Sequence, residues 1–205
     1  MGRWGSRVQI PPLRPFHHHS RRSRRRIAGV SARTEFGLPD QEIIATKRLT
    51  LRRFRAEDAS AFHEIMSDVE VMRYWSTPPH RSIAETERWI ATTIEAVRSG
   101  HADDFVVVHD GKIIGKAGLW TDNELGMIFA RSVWGRGFAG EAVAAVIARA
   151  FSRGLNAIKA DCDPRNVLSL RLLQKLGFVE TGSAERTLLI GDEWVDSIYL
   201  ELRAV

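Results

Sequence analysis

The sequence predicts an α/β chain built on a mixed sheet of about seven strands, with one central parallel step and helices on both faces. Two patterns carry that expectation. Residues 105–130 read as three consecutive strands joined by tight turns, an antiparallel arrangement. Residues 124–162 then read as strand, helix, strand, a crossover that is right-handed and leaves its two strands parallel.

The elements follow in order. Leu49, Leu51 and Phe54 alternate with Thr50, Arg52 and Arg53, as in a half-buried first strand. Glu57-Asp58-Ala59 opens a helix with Ala59, Phe62, Ile65 and Met66 on one face. A short apolar patch (Val69, Val71, Met72, Tyr74, Trp75) ends at Pro78-Pro79. Residues 83–98 form a helix through Ile83, Trp89, Ile90, Ile94 and Val97, stopped by Gly100. Phe105–Val108 is a strand, Asp110-Gly111 a hairpin turn, and Lys112–Trp120 its partner. Thr121–Asn123 turns again into strand Glu124–Ala130, where Gly126 indicates a bulge or a close backbone approach. The helix of residues 137–153 carries Val143, Val146, Ile147, Ala150 and Phe151 at helical spacing and ends at Gly154. Ala157–Cys162 is a strand, and Asp163-Pro164 starts a helix that runs to Leu176 and ends at Gly177. Two last strands, 178–190 and 194–202, meet at Gly191-Asp192.

Composition narrows the function. The chain has 205 residues, 44% hydrophobic and 27% charged, enough for a domain with its own core. No apolar run approaches the roughly 18 residues of a membrane span, so no membrane partner is expected. The single cysteine, Cys162, excludes an internal disulfide and a cysteine-based metal cluster. No metal is expected, and a reducing, cytoplasmic location fits.

A pI of 9.9 suggests nucleic acid until the charge is located. Residues 1–40 carry nine arginines against two acids, a net of +7, while the whole chain is +5. Residues 41–205 therefore sit at −2, and the basic excess belongs to the tail. The tail shows no periodicity and is expected to be a disordered basic segment, with 41–205 the single folded domain. Only Trp4 and Phe16 interleave its charge, which disfavours a nucleic-acid arm. The acid-free run 1–34 has the composition of a transit peptide without its amphipathic stripe, and no apolar run supports a secretory signal. Val8-Gln9-Ile10-Pro11 can be encoded by GTT-CAA-ATC-CC, the consensus T-arm of a transfer-RNA gene. That points to a translated transfer-RNA gene and a start codon placed too early.

Gly135-Arg136-Gly137-Phe138-Ala139-Gly140 is the most informative stretch. A helix start leaves about four N–H groups without internal acceptors and carries partial positive charge. Small residues let a phosphate reach those groups, so a phosphorylated ligand is expected at the amides of Arg136, Gly137, Phe138, Ala139 and Gly140. The stretch also reads as G-x-G-x-x-G, with Asp161 about 20 residues on. A dinucleotide fold, however, places that turn directly after the first strand of a mainly parallel sheet. Here Arg131–Trp134 intervene and antiparallel hairpins precede. No Lys-Ser/Thr pair follows, which excludes a P-loop.

Four blocks together resemble the GNAT acetyltransferase superfamily, and within it the ribosomal-protein N-terminal acetyltransferases. They are Lys47–Arg52, Trp134–Glu141, Asn166–Ser169 continuing to Lys175–Phe178, and Gly191–Asp196. Trp134 stands where the superfamily prefers Gln or Arg, at little cost if backbone amides do the binding. The resemblance implies a GNAT-like fold and an acetyl-coenzyme A-dependent N-acetyltransferase acting on a protein N-terminus or small-molecule amine by direct attack in a ternary complex. The alternative is a GNAT-fold sensor or scaffold that binds acetyl-coenzyme A without turnover. The resemblance further implies that the pantetheine arm pairs with backbone near Ile128, Phe129 and Ala130, and that Asn166 contacts the coenzyme. It makes Ser169 the proton donor to the departing thiolate and Glu124 a base or water-holding carboxylate. Read without it, Asn166 is helix-start chemistry, Ser169 a small polar filler and Glu124 a strand-end charge. Arg73, Tyr74, Trp75, Trp120 and Trp194 are candidate acceptor-lining residues, with core packing as the alternative for the aromatics. Glu141 favours the helix dipole and is assigned no chemistry. A monomer or homodimer is expected.

Overall fold

In the computed structural model, which describes residues 42–204, eight strands form one sheet in the order β1-β2-β3-β4-β5-β6-β8-β7. They are β1 (Ile43–Ala45), β2 (Thr50–Arg52), β3 (Asp103–His109), β4 (Lys112–Trp120), β5 (Glu124–Phe129), β6 (Ala157–Cys162), β7 (Val179–Ile190) and β8 (Glu193–Arg203). The helices are α1 (Ala59–Met66), α2 (Val69–Met72), α3 (Ile83–Arg98), α4 (Phe138–Ser152) and α5 (Val167–Lys175). Every neighbouring pair is antiparallel except β5 and β6, which are parallel. The expectations for residues 1–40 lie outside the described residues.

The period-2 alternation of the strands feeds two cores. Phe105, Leu125 and Ile158 face Val143, Val146 and Leu173 of α4 and α5. On the opposite side Val106, Trp120 and Ile128 pack with Phe62, Met66, Trp75 and Ile90 of the α1–α3 region.

Two details differ from the sequence reading, and a third decides between its alternatives. An eighth strand, β1, pairs with β2 at the sheet edge; its three residues are too few to show a period. Helix α5 starts at Val167, three residues beyond Pro164. Asp163 instead folds a turn, accepting the Arg165 and Asn166 amides on its side chain and carbonyl at 2.9 Å each. Gly126 makes a close approach with no register shift around it: a Cβ there would lie 3.0 Å from the Lys116 ammonium.

That ammonium is fully buried. Lys116 Nζ donates to Asp104 Oδ2 at 2.8 Å, and both side chains are 0% exposed. The Trp120 indole N–H donates to the same oxygen at 3.0 Å, and the Phe105 amide to the other at 3.1 Å. Gly118 leaves room for the carboxylate, since a Cβ there would fall 2.3 Å from Asp104 Oδ1.

A second charge network closes the β1 edge. Arg53 and Arg149 each bridge Glu42 and Asp103, at 2.5 to 2.9 Å, and both stack on the Phe105 ring. Burial works against ionisation of Asp103 and Glu42. Hydrogen bonds from Arg149 and Arg53 outweigh it and hold both carboxyls below their ordinary range.

Candidate active site

The parallel step is where the sheet opens. The register between β5 and β6 joins Glu124 to Lys159, near the start of both strands. Beyond it, Met127, Ile128 and Phe129 on one side and Asp161, Cys162 and Asp163 on the other line a cavity of about 600 Å³. Its far end is the glycine turn and the first turn of α4, where Gly137, Phe138, Ala139 and Gly140 line it.

Local conformation explains this wall. Gly135 and Gly137 sit at φ of 72° and 78°, a left-handed region that side chains resist. Gly137 caps α4 with no side-chain hydrogen bond, and the first helical bond runs from the Glu141 amide to its carbonyl at 3.2 Å. The amides of Phe138, Ala139 and Gly140 thus lack intrahelical acceptors at the end of the cavity. An anion of diphosphate size fits such a place by charge and by hydrogen bonding.

The expected site residues divide. Asn166 and Ser169 both line the cavity, from the start of α5. The Asn166 carboxamide oxygen caps that helix by accepting the Ser169 amide at 3.2 Å. Arg73, Tyr74 and Trp75, just after α2, line the opposite wall. Ile128 and Phe129 line it from β5, and the Trp134 indole donates to the Phe129 carbonyl at 2.9 Å.

Other residues fall elsewhere. Ala130 and Arg136 line a separate hollow of about 820 Å³ between α1, the β3–β4 turn and residues 131–136. Glu124 lies at the apex of the wedge, opposite Trp120 across β4 and β5, and is not among the cavity-lining residues. Trp120 is not a lining residue either; its indole is turned onto Asp104. Trp194 is 48% exposed on the β7–β8 hairpin, beneath the Arg186 guanidinium, and is not among the cavity-lining residues.

With the wedge and its glycine wall in view, the similarity to known proteins becomes decisive. Residues 48–179 match the model of the acetyltransferase (GNAT) domain. The "Uncharacterized N-acetyltransferase p20" of Bacillus licheniformis is 34% identical over 150 residues, which is 69% of this chain and 84% of that protein. This chain belongs to the GNAT acetyltransferase family. The crystal structure of a GNAT-family acetyltransferase from Bacillus anthracis superposes with a TM-score of 0.70 at 26% identity, covering 79% of this chain and 98% of that one. RimL, a ribosomal L7/L12 alpha-N-protein acetyltransferase solved with coenzyme A, shares the fold with a TM-score of 0.72 at 16% identity, covering 79% and 98%.

As a GNAT member the chain is an acyltransferase, and two features of its site escaped the sequence reading. Asp161, noticed only as part of a rejected dinucleotide pattern, is 2% exposed and lines the cavity. It accepts a hydrogen bond from the buried Ser197 hydroxyl at 3.1 Å, which in turn pairs with Thr187 at 2.6 Å. The hairpin β7–β8 therefore orients this carboxylate. Glu141, read as a partner of the helix dipole, is bound by Arg48 and Thr46 from 93 and 95 residues away. No helix among the described residues is long and apolar enough to cross a membrane, and no group there has the makings of a metal site.

Proposed function

We propose that the protein transfers an acetyl group from acetyl-coenzyme A to a primary amine, on a protein N-terminus or a small molecule, by direct attack in a ternary complex. The observation that supports this most is the single wedge-shaped cavity shared by the glycine-turn amides, Asp161 and Ser169. The coenzyme, when bound, supplies an acyl thioester. The remaining chemistry belongs to the chain.

The amides of Phe138, Ala139 and Gly140 hold the diphosphate. Backbone of Met127, Ile128 and Phe129 guides the amide-rich arm along the open side of β5, and the Asn166 side chain borders it. Asp161 meets the incoming ammonium and takes its proton; it is favoured over Glu124 because it lines the cavity. The Ser169 hydroxyl donates a proton toward the sulfur as it leaves. Arg73, Tyr74 and Trp75 form the acceptor wall. The likeness to RimL favours a protein N-terminus among the acceptors.

The test is a panel of N-terminal peptides, polyamines, aminoglycosides and amino acids, scored by free thiol released from acetyl-coenzyme A. At least one amine should raise release well above hydrolysis. Tight coenzyme binding with no amine-dependent release would instead support the sensor or scaffold.

A further inference from the structure

The glycine turn that ends the cavity is held from outside by one residue of the β1–β2 connection. Arg48 Nη1 donates to the Arg136 carbonyl at 3.0 Å, inside the turn. Its guanidinium lies 4.4 Å from the centre of the Phe138 ring, at the first residue of α4. Its Nε donates to Glu141 Oε2 at 2.6 Å, in the first turn of that helix. The other oxygen of Glu141 accepts the Arg48 amide at 2.8 Å and the Thr46 hydroxyl at 2.6 Å. Arg48 is itself fixed to the sheet: its carbonyl meets the His109 ring at 3.0 Å, and the neighbouring Thr46–Leu49 turn closes with a backbone bond of 2.9 Å.

We propose that Arg48 is a positioning residue for the phosphate-binding turn, with Glu141 and Thr46 as its anchors. The inference rests on the coenzyme reading above and assigns a task to side chains that do not line the cavity. Two physical needs converge on it. The turn contains two glycines in the left-handed region, and glycine carries the largest conformational entropy of any residue. Its amides converge on an anion only if something else holds them, and Arg48 ties down positions 136, 138 and 141 at once.

The second need is electrostatic. Glu141 places a carboxylate in the first turn of α4, at the positive end that a diphosphate must share. Uncompensated, it would repel that ligand. The Thr46 hydroxyl bond, followed by the Arg48 bonds, holds its carboxyl below the ordinary range, so the charge is present and must be met. Arg48 meets it. A lysine does not reproduce this, because a compact ammonium lacks the planar fork that reaches Glu141 and the Arg136 carbonyl from separate nitrogens while lying over Phe138.

The experiment compares wild type, Arg48→Ala, Arg48→Lys and the double variant Arg48→Ala/Glu141→Gln. It uses calorimetric titration with coenzyme A and steady-state rates on acetyl-coenzyme A and on S-acetyl-pantetheine, which lacks the diphosphate. Arg48→Ala should weaken coenzyme A binding and raise KM for acetyl-coenzyme A about 10- to 100-fold, the range for lost charge-assisted hydrogen bonds, with kcat retained. Its kcat/KM on S-acetyl-pantetheine should stay at the wild-type value. The double variant should regain part of the affinity, because the uncompensated carboxylate is gone. Arg48→Lys should remain impaired, and it carries the test alone if Arg48→Ala does not fold. Wild-type affinity for coenzyme A in Arg48→Lys and Arg48→Ala, or equal losses on both acyl donors, would overturn the proposal. Failure of the wild type itself to bind coenzyme A would instead overturn the coenzyme reading on which it rests.

Discussion

Replacing Lys116 with methionine should cost the fold about 3–5 kcal/mol, the range for removing one partner of a buried ion pair. The structure puts the site at the severe end of that class. Both side chains are 0% exposed, and the 2.8 Å bond joins β3 to β4 in the middle of the sheet. After the substitution the Asp104 carboxylate is left with two neutral donors, the Trp120 indole and the Phe105 amide. The ammonium also lies 5.7 Å and 5.9 Å from the centres of the Trp75 and Trp120 rings, and those contacts go with it. Methionine adds no bulk toward Gly126, so overpacking does not confuse the result. For a domain of this size each kcal/mol moves Tm by about 2–4 °C, so Tm should fall by about 6–20 °C. Thermal melts followed by circular dichroism read the shift, and urea titration with an unchanged slope confirms a stability effect. Adding Asp104→Asn to the variant should restore much of the loss, because the stranded charge is removed. A Tm within about 2 °C of wild type for Lys116→Met alone would refute the reasoning.

The Glu42–Arg53–Asp103–Arg149 network gives a pH dependence. Because the folded carboxyls lie below their ordinary values of 4.5 and 3.8, their stabilisation is fully present above those values and is lost as pH falls through the depressed ones. Arg149→Met should flatten that acid limb, and identical limbs in the two proteins would contradict the assignment. Among the catalytic candidates, Ser169→Ala and Asp161→Asn should each lower kcat about 100-fold or more with coenzyme affinity unchanged, and Glu124→Gln should lower it less. Steady-state kinetics beside coenzyme titration separates the two effects; unchanged turnover in Ser169→Ala would remove it from the mechanism.

Local signals in this chain were readable, and long-range ones were not. The hairpins at Asp110-Gly111 and Gly191-Asp192, the crossover through α4 and its glycine-rich entry at Gly135–Gly140 all rest on neighbouring residues, where turn chemistry and periodicity act. The start of α5 was misread because Asp163-Pro164 resembles a helix opening. The proline-containing turn instead hands the capping role to Asn166. Strand β1 depends on pairing with β2 rather than on its own three residues. Trp120 and Trp194 were both grouped with the acceptor wall from their aromatic character. One is turned inward by its bond to Asp104 and the other sits outside on a hairpin, directions that only the sheet register decides. The grip of Arg48 on Glu141 spans 93 residues, and nothing in either neighbourhood announces it.

The central claim is that the first-turn amides of α4 grip the diphosphate of an acyl carrier, and a crystal structure with coenzyme A tests it most directly. The account predicts diphosphate oxygens within hydrogen-bonding distance of the Phe138, Ala139 and Gly140 amides, with the arm running between β5 and β6. Coenzyme bound elsewhere on the molecule, with no phosphate beside Gly137, would contradict it.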